Sequence, residues 1–175
     1  MRFSLIALSA LLAFSGCAQK GTFDLFKIDK AHERAVEQLR SGAIVLSLET
    51  KAIVSSLYLN NTDPEYYRDG ENFVVSVYFQ NDDKGYKVRE LESNGYHISL
   101  NDKNATLIEP LGPKDPRRLL MPVQNNWNRY YFVKFDSDDN TSLALRLENN
   151  QTGSVVLNYQ KYPLVAPARQ KSVYK

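Results

Sequence analysis

Residues Glu71-Asn72-Phe73-Val74-Val75-Ser76-Val77-Tyr78-Phe79 decide how this chain is read. Phe73, Val75, Val77 and Phe79 alternate with Val74, Ser76 and Tyr78. Successive side chains of a strand point to opposite faces, so a period of two in β-branched and aromatic residues predicts a strand. The same period recurs along the chain. Ala43–Leu48 is a continuous apolar strand, and Ile53, Leu57 and Leu59 alternate with Val54, Ser56 and Tyr58. Tyr96, Ile98 and Leu100 form another set, and a short strand is expected near Ala105–Glu109. Tyr131, Val133 and Phe135, then Leu143, Leu145 and Leu147, then Val155, Leu157 and Tyr159 complete the series. Turn clusters separate them, among them Asn101-Asp102-Lys103-Asn104 and Asp136-Ser137-Asp138-Asp139-Asn140.

Eight short strands, each with one apolar and one polar face, describe an antiparallel sandwich or barrel. The expected fold is mainly β: an immunoglobulin-like antiparallel β-sandwich with one short N-terminal helix. A lipocalin-like barrel fits the strand count, but the connections 60–71 and 110–126 are long for its tight hairpins. The helix is expected over roughly 29–40, with Asp29 as N-cap, Glu33 in its first turn and Gly42 just past its end. Ile28, Ala31, Ala35, Val36 and Leu39 form its apolar stripe, a face suited to packing on the parent domain.

The N-terminal segment carries a different signal. Arg2 precedes an apolar run from Phe3 to Phe14, relieved only by Ser4 and Ser9, and then come Ser15-Gly16-Cys17. A basic start, a short apolar stretch and small residues predict a secretory signal peptide. The run is too short for the roughly 20 residues that span a bilayer. Ser15-Gly16-Cys17 resembles the lipobox of bacterial lipoproteins, with Phe14 where Leu is usual. That resemblance implies cleavage before Cys17, acylation of its thiol, and a stable anchor of two or three chains. Ala18 follows Cys17 where Asp would mark retention in the inner membrane, so the resemblance implies a bacterial cell envelope location at the outer membrane. The expected organisation is a signal peptide over 1–16, a lipidated tether over 17–27, a helix plus β-sandwich domain over 28–162, and a disordered tail over 163–175.

Together the lipobox, the brief helix, Tyr58-Leu59-Asn60, Glu71–Tyr78 and a late aromatic strand resemble small immunoglobulin-like envelope lipoproteins of Campylobacter-type bacteria. That resemblance implies an envelope or adhesion-associated, non-catalytic protein. It carries no catalytic motif onto any residue here.

Composition narrows the classes further. The chain has 175 residues, a length that suits one domain, and 43% hydrophobic content supports a core. The formal charge of +2 is too balanced for a nucleic-acid binder, which concentrates a basic stripe. Cys17 is the sole cysteine, so no disulfide forms within a monomer and the fold stands on burial and backbone pairing.

Three segments place an acid two residues before Asn and a hydroxyl two residues after it. Their asparagines are Asn104, Asn140 and Asn150, preceded by Asp102, Asp138 and Glu148. They resemble the extended acceptor of bacterial N-glycosylation, and they are equally ordinary turn residues. Asp136–Asn140 begins like a calcium loop, but Thr141 replaces its Gly and Leu147 its closing acid. His32-Glu33 begins like a zinc-protease helix, but Val36 stands where the second His belongs. No metal or cofactor is expected. His97, the only other histidine, is expected to face water. A candidate partner surface is formed by Arg117 and Arg118 in a basic loop, with Trp127, Arg129 and Tyr130 nearby; Trp, Tyr and Arg are enriched in interface hot spots, and burial of the aromatic set under the N-terminal helix is the equal alternative. The function expected is therefore non-catalytic binding, adhesion or scaffolding. Its partners would be the membrane, through the lipid anchor, and an envelope or host-surface protein. Two other classes stay open: a carrier of a hydrophobic ligand, which needs an empty interior, and an envelope enzyme, which needs His97 beside an acid and a hydroxyl.

Overall fold

The computed structural model describes residues 30–80, 91–92 and 95–162; the lipobox, tether and tail lie outside them. Helix α1 (Lys30–Gln38) leads directly into β1 (Leu39–Leu46), followed by β2 (Glu49–Tyr58) and a one-turn helix α2 (Leu59–Thr62). Then come β3 (Glu71–Phe79), β4 (Tyr96–Leu100), β5 (Lys103–Asn104) and β6 (Leu107–Pro110). Helix α3 (Pro116–Leu119), β7 (Arg129–Phe135), β8 (Ser142–Asn149) and β9 (Gly153–Gln160) complete the order. The strands form two antiparallel sheets, one in the order β1-β2-β3-β7-β6 and the other β5-β4-β8-β9.

The sheets face each other across the main core. Val54, Tyr58, Phe73, Val75, Val77, Tyr131, Val133 and Phe135 line the inner side of the five-stranded sheet. Ile98, Leu100, Leu143, Leu145, Leu147, Leu157 and Tyr159 answer from the other sheet. Aromatic rings fill the middle: Phe73 stands edge-on to both Phe135 and Tyr159, with centroids at 5.9 and 5.4 Å. β1 folds over β9 at one side of the sandwich. There Gly42 comes so close that a Cβ would lie 2.6 Å from Val155 Cγ2.

A second core covers half of the outer face of the five-stranded sheet. Leu57, Val74, Tyr130 and Phe132 point outward there and pack beneath Ala35 of α1, Leu59, Leu111 and Met121. β3 is thus sandwiched on both sides, and nearly every residue in it is buried. This is why Phe73-Val74-Val75 is apolar on both faces, while Ser76 and Tyr78 stand on the outer face beyond the second core.

Several expectations shift. Chain extension begins at Leu39, so the helix ends earlier and Gly42 is an interior strand residue, not a helix stop. Gly serves there because β9 leaves no room for a Cβ. Within the stripe assigned to the helix, Ala35 is buried but Val36 is exposed, and outside the stripe Gln38 is buried; Ile28 and the Ala31 side chain lie outside the described residues. Gln38 Nε2 donates to Tyr162 Oη at 3.0 Å, and its Oε1 accepts from Asn61 at 3.0 Å. Among the described residues nine strands replace the expected eight, because Lys103–Asn104 pairs with Leu100–Ser99 instead of remaining in a turn.

At one end of the sandwich a buried ionic network ties five segments together. Glu71 Oε2 accepts from Tyr58 Oη at 2.5 Å, and Oε1 accepts from Lys161 Nζ at 2.5 Å and from the Asp138 N–H at 3.0 Å. Lys161 Nζ also donates to the Asp138 carbonyl. The Asp138 carboxylate in turn accepts from Lys103 Nζ at 3.1 Å, from Asn101 and from the Asn140 N–H. Burial and the neighbouring Glu71 carboxylate push the Tyr58 phenol up, so it stays a donor.

Candidate binding groove

The uncovered half of the five-stranded sheet carries a groove of about 480 Å³. Its floor follows from strand register. Ser41 of β1 lies opposite Ser55 of β2, and Ser55 opposite Ser76 of β3, so three small hydroxyl residues run straight across three strands. Ser41 Oγ and Ser55 Oγ are 2.8 Å apart, and Ser76 Oγ accepts from Asn128 Nδ2 at 3.0 Å. Larger side chains on either side turn this row into a trench: Ile53 and Tyr78 on one flank, Leu39 and Met121 on the other. Val123, Asn125 and Trp127 rise from the 120–128 loop as its wall.

Trp127 is 75% exposed and Val123 is exposed beside it. The loop that carries them is braced from beneath. Asn125 Oδ1 accepts the N–H groups of Trp127 and Asn128 at 3.1 and 2.8 Å, which folds the loop tightly around that one side chain. The Asn125 N–H donates to Tyr130 Oη at 2.9 Å, and its carbonyl accepts from Arg118 Nη2 at 3.1 Å. The Arg118 guanidinium stacks on the Tyr130 ring. Helix α3 fixes Arg118 in turn: Pro116 opens it, and Asp115 caps it by accepting the Arg117 N–H at 2.9 Å.

The five residues assigned to a partner surface thus separate. Trp127 alone is an exposed contact residue of the groove. Tyr130 is 3% exposed and belongs to the second core, because its register places it under the α3 segment, not at the surface. Arg118 is likewise buried, as the brace. Arg117 is locked in a bidentate pair with Glu109 (2.8 and 2.9 Å) and a second pair with Asp115, over the Phe132 ring. That guanidinium holds the carboxyls of Glu109 and Asp115 below the usual range. Arg129 lies half-buried beside a smaller groove of about 340 Å³, which Arg118 and Asn126 also line.

The three acceptor-like asparagines fare differently. Asn104 is exposed in β5 and its Oδ1 lies 3.1 Å from His97 Nε2, with the Asp102 side chain exposed beside it. Asn150 is exposed at the β8–β9 turn. Asn140 is exposed, but the acid two residues before it, Asp138, is buried in the ionic network. The hydrogen bonds and ion pair made by Asp138 also account for its place in the calcium-like loop. Among the described residues no group of three or more His, Cys, Asp or Glu side chains comes together as a metal site. The space between the sheets is filled by Tyr58, Phe73, Phe135, Tyr159 and their neighbours. No helix among the described residues is long and apolar enough to cross a membrane. The chain matches no family model, no curated protein and no solved structure.

Register is the signal that could have found the groove: three serines, each within an apolar strand, become neighbours only when the pairing is known. The helix expected over roughly 29–40, with Gly42 past its end, leaves Ser41 outside every expected strand.

Proposed function

We propose that this chain is a lipid-anchored, non-catalytic binding module of a bacterial envelope, held at the outer membrane through Cys17 and meeting an envelope or host-surface partner through the groove at Trp127. The observation that carries this reading is the exposed indole of Trp127 on a loop braced by Asn125, Arg118 and Tyr130. An exposed large aromatic on a fixed frame is what interface hot spots use, because little entropy remains to be lost on binding. The lipobox-like Ser15-Gly16-Cys17 supports the anchor. Two antiparallel sheets packed face to face, with β3→β4 and β7→β8 passing between them, support an immunoglobulin-like arrangement of the sandwich.

Crosslinking in native cells followed by mass spectrometry tests the module. A partner should be trapped by the wild type and lost with Trp127→Ala, while both stay in the membrane fraction. Metabolic palmitate should label the wild type and not Cys17→Ser. A trapped partner that ignores Trp127→Ala removes the groove from the reading, and label persisting in Cys17→Ser removes the anchor.

A further inference from the structure

We infer that the groove takes a neutral saccharide, with pyranose faces against Trp127 and Tyr78 and hydroxyls on Ser41 and Ser55. This rests on the binding-module reading above and names the ligand class of the same site.

Charge comes first. Among the described residues, none that lines the groove is ionic. On the surrounding elements Lys51 pairs with Glu49 and Arg117 with Glu109 and Asp115, while Arg40 and Arg118 donate to backbone carbonyls. A charged ligand would lose hydration here and gain no counter-charge. A wholly apolar ligand fits no better. It would strip water from the Ser41 and Ser55 hydroxyls and return no hydrogen bond. The groove therefore matches a neutral ligand that has both an apolar face and a dense set of hydroxyls.

Pyranoses have that division. Their polarised C–H faces suit the electron-rich face of an indole or phenol ring. Their hydroxyls donate and accept, as the floor does: Ser41 and Ser55 share one bond between them, which leaves a donor and lone pairs for a ligand. Ser41 and Ser55 stand on adjacent strands roughly 5 Å apart, a distance set by strand spacing, while Ser76 is buried beneath Asn128 and only floors the groove. The volume of about 480 Å³ lies within the range of small-ligand sites.

Trp127 is the only tryptophan in the chain, so its emission reports directly on the groove. The full chain, purified in a sugar-free detergent, is titrated with cellohexaose, chitohexaose, maltohexaose and xylohexaose, and with polygalacturonate as the anionic control. At least one neutral hexasaccharide should shift the emission saturably, and polygalacturonate should not. By calorimetry Trp127→Ala should weaken that binding about tenfold or more, with its melting temperature unchanged because the side chain is exposed. No response to any neutral hexasaccharide, a response to polygalacturonate alone, or binding indifferent to Trp127→Ala would overturn the inference. Capture of a Trp127-dependent partner in cells together with no sugar response sinks the saccharide and spares the module. Loss of both sinks both.

Discussion

The guanidinium of Arg118 lies 4.0 Å from the centre of the Tyr130 ring, and both hold the backbone of Asn125, one through Nη2 and the other through its hydroxyl. Two buried residues from different elements thus fix the loop that presents Trp127. Arg118→Ala removes the stacked cation and leaves the Asn125 carbonyl without that donor. It should destabilise the protein by about 1–3 kcal/mol. Acrylamide should then quench Trp127 more efficiently, as the loop loosens. Tyr130→Phe keeps the stack and loses the hydroxyl, with a cost of about 1 kcal/mol. Chemical denaturation and quenching read both, and equal quenching in all three proteins would show that the loop holds without the brace.

Asp138 makes stability depend on acid. The Asn140 N–H, with Lys103 and Asn101, draws its pKa down from the ordinary value of 3.8 to about 2. A carboxylate with a lowered pKa stabilises the fold above its unfolded pKa, and that contribution fades as pH falls through the folded value. Stability should therefore decline between about pH 4 and pH 2. Asp138→Asn should be less stable at pH 7 and show a flatter profile across that window. Denaturation midpoints at several pH values check this, and parallel profiles for the two proteins would remove Asp138 as the group responsible.

Alternation read the main core well. Leu143, Leu145 and Leu147 are buried and Arg146 faces outward, as a period of two requires. Leu145→Ala should cost about 2–5 kcal/mol and Arg146→Ala little, measured by urea titration. Similar costs for the two would mean that β8 is inverted.

What alternation could not show was the second core. Val74, Tyr130 and Phe132 occupy the face that a simple two-sheet sandwich leaves to water. Their covering comes from Ala35 and from Leu111 and Met121, far along the chain, and no local pattern announces such a lid. The sequence alone leaves Tyr130 equally suited to a surface patch and to burial, and shows Arg118 only as a loop cation; both are supports of this lid. Gly42 misled for a related reason. Glycine after an apolar stripe usually stops a helix, but here it answers Val155, more than a hundred residues away.

Gly42 tests the closure of β1 on β9. A methyl group there would sit 2.6 Å from Val155 Cγ2 and 3.3 Å from Leu157 Cδ2. Val155 is β-branched and has few rotamers with which to retreat. Gly42→Ala should cost about 1–3 kcal/mol through this overpacking, in spite of the usual gain from replacing glycine in a strand. Adding Val155→Ala should recover part of that loss, which a double-mutant cycle measures. An additive cycle would place the cost elsewhere than at this contact.

The β1–β2 turn offers a change in the opposite direction. Ser47 and Leu48 form a two-residue hairpin loop with φ of 52° and 67°, the sign pattern of a type I′ turn. The β4–β5 hairpin does the same with Asn101 and Asp102, side chains that tolerate positive φ. Leu48 has no such tolerance and is 99% exposed, so it gains no burial in return. A left-handed conformation costs a residue with a Cβ roughly 1–2 kcal/mol, and glycine escapes that cost while adding roughly 0.5–1 kcal/mol of chain entropy to be lost on folding. Leu48→Gly should therefore stabilise the protein by about 0.5–1 kcal/mol and raise its melting temperature by about 2 °C. Scanning calorimetry decides the matter, and a melting temperature that falls would mean that the chain entropy added by glycine outweighs the left-handed cost at Leu48.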